Sequence, residues 1–306
     1  MIAVIFNPTA RGDRAEGFRQ QVARLSPSAR LLPTASAGDA TRLAHEAGRD
    51  GARIVVAAGG DGTVNEVVNG LAQLPLGNRP ALGVLPLGTV NVFAKEIGLS
   101  GVLDRDWKTL EAGHSQTIDL AVARHAGGDR WFIQMAGAGL DSAAIARVQW
   151  RLKKRLGPLA YLWAGIGALC GPLPFIQVRG GPNELSGQLA LIGNGRFYGG
   201  RVPVFPEARL DDGKLDLALL ARVNVLSLIR ASIALRTGRL LHLSGVVHQQ
   251  APEFQFEGPA SALFQVEGDN MGPLPVRFCI EPKAIQIVIP RSRQEPAIDT
   301  KVHAEG

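Results

Sequence analysis

Two cysteines, Cys170 and Cys279, are too few for a disulfide framework or a cysteine-based zinc site. The histidines (His45, His114, His125, His242, His248 and His303) show no ligand spacing, so no histidine metal centre is expected. The first residues, MIAVIFNP, lack the basic and long apolar regions of a secretory signal, which points to a reducing cytoplasm. Neither the phosphate-loop pattern GxxxxGK[ST] nor the dinucleotide fingerprint GxGxxG occurs. No aromatic residues interleave with basic ones at the spacing of a base-stacking platform, which argues against a nucleic-acid partner. A transmembrane helix is excluded too. The charge-free stretch from Leu156 to Val178 contains Pro158, Pro172 and Pro174, leaving an unbroken helix well short of the roughly 20 residues a bilayer requires.

What is present supports a substantial core: 46% of the 306 residues are hydrophobic and 20% charged, a length that suits two domains sharing a cleft. The formal net charge of +6 suggests an anionic partner, whether nucleotide, nucleic acid or membrane surface. Strand signals at Ile2–Phe6, Arg30–Leu32, Arg53–Ala58 and Ala81–Leu85 alternate with helical stretches near Asp13–Leu25, Asp39–Arg49 and Thr63–Leu74. That rhythm predicts an α/β domain over residues 1–120, a parallel sheet between two helical layers in the Rossmann-like manner. From 121 to 290, strand-like segments (Gln188–Gly193, Lys214–Leu220, Ala262–Gly268, Pro275–Glu281, Ala284–Pro290) predict a mainly antiparallel β-sandwich. Helices are expected near Ala143–Leu156, Leu159–Cys170 and Val225–Leu235, and the strand near 284–290 could pack back on the first domain. Residues 291–306 read as a solvated tail.

In a parallel sheet the loops after the strands gather on one edge, where such folds bind ligands. Here those loops are NPTARG (7–12), Thr34–Gly38, GGDG (59–62) and PLGT (86–89). Gly59, Gly60 and Gly62 would let the backbone approach a phosphate, and Thr63 would open a helix whose free N–H groups face the same space. Asp61 among them makes sense chiefly through Mg²⁺. The device recurs about thirty residues later in ALGVLPLGTVNVFAKEIGL (81–99), the length of one βαβ unit.

The pair GGDGTVNEVVNGL and LGVLPLGTVNVFAKEIGL resembles the catalytic domain of the diacylglycerol kinase and sphingosine kinase superfamily, most of all its soluble bacterial lipid kinases. NPTARG is similar to the opening NPxxG loop, residues 194–220 to the family's NGxxxGGG to DGxLD segment, and residues 264–290 to its closing segment. The resemblance implies nucleotide in the interdomain cleft, bound by Thr34, Gly60, Asp61, Gly62, Thr63, Val64, Asn65, Glu66, Gly88 and Thr89. It implies ATP as phosphoryl donor with Mg²⁺, and a second, structural Mg²⁺ held by Asp212 with the carbonyls of Arg209 and Lys214. For an arbitrary sequence, Asp212 is equally an Asp-Gly hairpin turn. Asp119 matches another acidic position of the family.

Two departures matter. The family reads GTxND where Val92 follows Asn91, and DGE where this chain has Glu267-Gly268-Asp269. If residues 267 and 269 lie on one strand, both carboxylates face the same side. Asp269 then stands in the base position, with Glu267 as second candidate; the other reading of the triplet is a surface hairpin with solvated acids. Residues 145–176, with Arg147, Arg151, Lys154 and Arg155 on one helical face, suit peripheral contact with anionic lipid or, equally, a core helix with a solvated basic face. The basic face in LIRASIALRTGRLLHL reads as solvated, with contact to lipid as the alternative. The expected activity is transfer of the ATP γ-phosphate to a lipid hydroxyl such as that of diacylglycerol. An NAD kinase-like acceptor, a regulatory binding protein and a homodimer stay open.

Overall fold

Short runs such as IAVIF, IVVAAG and ALGVLP have no polar face, so they need cover on both sides, and helices supply it. The computed structural model describes residues 1–8, 15–140, 142 and 173–291. In it β1 (Ile2–Phe6), β2 (Arg30–Pro33), β3 (Ile54–Gly59) and β4 (Ala81–Pro86) lie in the parallel order β2-β1-β3-β4. Helices α2 (Asp39–Arg49) and α3 (Asp61–Ala72) cover Ala3, Ile5, Val55 and Ala57 on one face. Helices α1 (Ala15–Leu25) and α5 (Leu103–Ala112), which follows the short α4 (Val92–Glu96), cover Val4, Phe6, Val56 and Ala58 with Phe18, Val22, Trp107 and Leu110.

The sheet continues past β4. β18 (Val276–Val288) joins it in parallel through Ile287 and Leu82, and pairs along its length with antiparallel β5 (Ser115–His125). β6 (Gly128–Phe132) joins β5, and β15 (Glu253–Glu257), β8 (Ile176–Arg179) and β9 (Leu185–Gly187) extend the other edge to ten strands. A second sheet of six antiparallel strands faces this extension. Its order is β14 (Val246–Ala251), β13 (Leu215–Leu220), β10 (Leu189–Gly193), β7 (Met135–Gly139), β16 (Leu263–Val266) and β17 (Asp269–Pro273). A hairpin of β11 (Phe197–Tyr198) and β12 (Val202–Pro203) and the helix α6 (Val225–Arg236) complete the fold. Between the two large sheets lies a core built on Phe254, Phe256, Phe264 and Phe278, three of whose ring contacts are edge-to-face.

The structure departs from the sequence reading in three places. Residues 275–281 and 284–290 form one strand rather than two. The pairing with β5 merely breaks between Glu281 and Ile285, where Lys283 has a positive φ of 52° and donates its N–H to Asp119 Oδ1 at 2.7 Å. Asp119 Oδ2 takes the Gly213 N–H, also at 2.7 Å, so this buried carboxylate ties β5 to the turn at 211–214 and to the break in β18. Second, α3 begins at Asp61, not Thr63, because extended Gly60 already offers its carbonyl to Val64 N. Third, β5 runs through residue 120 without interruption. The expected helices near 143–156 and 159–170, the tail beyond 291, and most of NPTARG fall outside the described residues.

Candidate functional site

The two glycine turns touch. Leu87 and Gly88 donate their N–H groups to Gly59 O at 2.9 and 3.2 Å, which folds the end of β4 over the end of β3. A Cβ on Gly88 would lie 2.5 Å from Gly60 Cα and 2.7 Å from Asn91 Oδ1, so only glycine permits this approach. Asn91, at φ 53°, donates its amide to Gly88 O at 2.8 Å and fixes the turn from the far side. Thr34 stands on the same edge, its N–H on Phe6 O at 3.0 Å. Gly62 is exposed, with open space where a Cβ would be, and Thr63 packs its hydroxyl against Gly59. Thr89 follows in the exposed second turn.

The other expected contact residues also have structural roles, although Val64 and Asn65 line the cavity that holds Asp61. Val64 is in the core between sheet and helices. Glu66 accepts the Ala40 N–H at 3.1 Å and its carbonyl takes the Thr41 hydroxyl, so it links the start of α2 to α3. Asn65 and Asn69 are buried one turn apart, with Asn69 bonded to Trp131 through both N–H and C=O. They fasten α3 to β6.

Asp61 and Glu267 meet in one small cavity that Asn65, Phe93, Ile133 and Gln134 also line. Asp61 Oδ1 accepts from Phe93 N at 3.2 Å at the start of α4, and Val92, which opens that helix, presents its amide to the same carboxylate. Burial pushes the Asp61 carboxyl up, against the pull of those amides and of Lys95. Glu267 Oε1 accepts from Ile133 N at 3.0 Å and Gln134 N at 2.7 Å. Burial foremost, then the charge of Asp61, raises its carboxyl to about 7 in spite of those amides. A carboxylate tuned to neutrality beside a second acid is a usual signature of proton-transfer chemistry.

Here the expectation for the EGD triplet is corrected. Val266 pairs with Asp269, so Glu267 and Gly268 are the two-residue turn of the β16–β17 hairpin, both at positive φ (52° and 89°). Positive φ at both central residues is the mark of a type I′ turn, and the alternation of faces along a strand does not carry through it. Residues 267 and 269 therefore do not share a side. Glu267 enters the cavity; Asp269 is 67% exposed and reaches Arg130 Nη2 at 3.5 Å.

Gln134 has no counterpart in the sequence reading. It is 3% exposed, lines the same cavity, and neither atom of its amide has a partner among the described residues. Arg196 is another. Its guanidinium meets buried Glu96 at 2.7 Å and its N–H donates to the same carboxylate, which ties α4 to the loop after β10.

The Asp212 turn lies apart from these loops in the contacts described. Asp212 Oδ1 accepts from Lys214 N at 3.0 Å, while Arg209 pairs with Asp211. Burial, then Asp216 and Asp119, raises the Asp212 carboxyl. Both Asp119 oxygens already hold backbone N–H groups, and no cluster of three acidic, histidine or cysteine side chains able to hold a metal occurs among the described residues. Nor is any described helix long and apolar enough to cross a membrane.

Residues 1–123 match the sequence model of a family described as the diacylglycerol kinase catalytic domain, and residues 134–289 one described as the YegS C-terminal NAD kinase beta sandwich-like domain. The chain is 32% identical over 306 residues to a diacylglycerol kinase of Bacillus subtilis, covering 97% of this chain and 98% of that protein. It is 32% identical over 256 residues to a protein of Cronobacter sakazakii named probable lipid kinase YegS-like, covering 83% of each. A solved diacylglycerol kinase from Bacillus anthracis superposes with a TM-score of 0.77 at 24% identity, over 95% of this chain and 97% of that one, a likeness of fold.

Proposed function

The chain belongs to the lipid kinases that join a diacylglycerol kinase catalytic domain to a YegS-type C-terminal domain, and from that premise we propose that it transfers the γ-phosphoryl group of ATP to a lipid hydroxyl such as that of diacylglycerol. The observation that carries the reading is the meeting of Glu267 with Asp61 beside two interlocked glycine turns. The cradle fits a polyphosphate. Gly60 and Gly88 leave no side chain between backbone and ligand, and the first N–H groups of α3 add the positive end of its dipole.

In this reading the triphosphate lies along Gly60–Thr63 and Gly88–Thr89, with Thr34 on the same edge. Asp61 would hold Mg²⁺, which when bound would neutralise charge on the phosphates. A cation also suits the two adjacent acids, since the charge of Asp61 raises the cost of ionising Glu267. Asp212, with the carbonyls of Arg209 and Lys214, would hold a second, structural Mg²⁺. Glu267 takes the proton of the acceptor hydroxyl, whose oxygen then bonds to the γ-phosphorus as the bond to the β-bridging oxygen breaks and ADP leaves. The backbone amides of Ile133 and Gln134 keep that carboxylate in place. Asp269, outside the cavity, has no step.

The acceptor comes from a membrane surface to a cytoplasmic enzyme, with residues 145–176 as one contact. The test is incubation with γ-labelled ATP, Mg²⁺ and a panel of lipid alcohols. Label in the organic phase supports the proposal. Because the C-terminal family is described as NAD kinase-like in its sandwich, NAD⁺ is the control acceptor, and label on NAD⁺ alone would contradict it.

A further inference from the structure

Helix α6 is apolar on two opposite sides. Leu228, Ala231 and Ala234 are buried; Ala231, with Leu235 and Val223, packs on Leu191, Ala218 and Leu220 of the six-stranded sheet, and Leu228 packs with Leu140 and Leu189. Leu226 and Ile233 are nevertheless 63% and 61% exposed, Val225 48% and Ile229 42%. At 3.6 residues per turn these four fall within an arc of roughly 100°, opposite the buried three. A helix apolar all round is ordinarily enclosed; here one apolar side stands exposed, with no cover among the described residues.

The charges around the arc have one sign. Arg230 and Arg236 lie on the helix, Arg222 and Arg239 just beyond its ends, and all four are exposed. Residues 217–252 contain no aspartate or glutamate. On an adjoining loop Glu207 follows Pro206, which abuts Gly238 past the helix end.

We propose that α6 is a docking surface for an anionic lipid bilayer, its isoleucine and leucine side chains entering the interface and its arginines meeting lipid phosphates. The charge pattern selects this occupant over a second copy of the chain. A two-fold contact through this face would set arginines against arginines with no acid on the element to pair them. A bilayer of anionic lipid satisfies both features at once.

Position agrees. The β11–β12 hairpin abuts both α6 and α4, and an added Cβ on its Gly200 would lie 3.8 Å from Val90 in the second glycine turn. Leu140 and Leu173, which flank residues 143–172 in the chain, pack with Leu228. The docking face is thus one hairpin away from the proposed phosphate cradle.

The test is co-sedimentation of the full chain with vesicles of phosphatidylcholine, alone or with about one-third phosphatidylglycerol. Wild type should pellet with the anionic vesicles, and binding should fall as salt rises. The pair Leu226→Gln and Ile233→Gln should weaken binding at least tenfold, from the apolar area involved. Arg230→Gln with Arg236→Gln should weaken it by about 25-fold, at roughly fivefold per charge. All four side chains are exposed, so folding should be unaffected, which circular dichroism checks. Equal binding by wild type and both variants, or none by wild type, would overturn the proposal. So would a concentration-dependent dimer that the Leu226/Ile233 variant abolishes, since the face would then belong to a second copy. Binding is read without nucleotide, so its outcome is independent of the kinase reading; transfer to a dispersed short-chain diacylglycerol should be unchanged in both variants.

Discussion

Replacing Glu267 by glutamine should separate catalysis from stability in opposite directions. The carboxyl ionises at about 7 in the folded chain against an ordinary 4.5, because it is buried and faces Asp61. Between those two values the folded chain holds a proton that the unfolded chain has released. Stability therefore falls as pH rises through this window, and the loss is complete above 7. The interval from 4.5 to about 7 corresponds to ~3 kcal/mol. Glutamine keeps an oxygen for the Ile133 and Gln134 amides and cannot ionise. In urea unfolding of metal-free, nucleotide-free protein, Glu267→Gln should match wild type near pH 5 and exceed it by up to ~3 kcal/mol near pH 8. Phosphoryl transfer should fall by about 10²- to 10⁴-fold, the usual worth of a general base. Wild-type kcat/KM should rise with pH and level off above 7, since it reports the free enzyme. Parallel pH–stability curves for the two proteins would refute the buried ionisation, and an undiminished rate would refute the base.

Three further substitutions probe the rest of the site. Asp269→Asn, at an exposed position with one long ion pair, should keep its rate within about twofold; a hundredfold loss would return the base role to Asp269. Gly88→Ala puts a methyl group 2.5 Å from Gly60 Cα, so thermal unfolding should show a loss of about 1–3 kcal/mol and ATP should bind more weakly; an unchanged melting temperature and affinity would show that the turns part freely. Gln134→Leu removes a buried amide without a partner among the described residues, so stability should hold or rise by about 1 kcal/mol while transfer falls at least tenfold; full activity would leave Gln134 a mere filler of space.

The parallel strands could be read directly, because a strand enclosed on both faces has to be apolar at every position, as IVVAAG is. The glycine turns were legible for the same kind of reason: their backbones must approach something closely. The closing hairpin was legible only as the second of two readings, behind a strand with both acids on one side. Glu267 opens a turn at positive φ, a conformation that glutamate seldom adopts, so QVEGDN passes for a strand with one interior glycine. That turn separates the two candidate acids, taking Glu267 into the cavity and leaving Asp269 exposed. β18 looked like two strands because Pro282 and Lys283 interrupt its apolar alternation; the Asp119 carboxylate, remote in sequence, bridges the break. Gln134 gave no signal, since an amide within FIQMAG looks like any other strand residue until its lack of partners is seen. The outer arc of α6 was hidden likewise: a helix apolar on both sides does not reveal which side the sheet takes.

The most direct test of the central claim is transfer itself, with purified chain, γ-labelled ATP, Mg²⁺ and mixed lipid alcohols extracted into chloroform. The account predicts label on a lipid phosphomonoester, lost with Glu267→Gln and retained with Asp269→Asn. ATP bound tightly but no label on any lipid would contradict it.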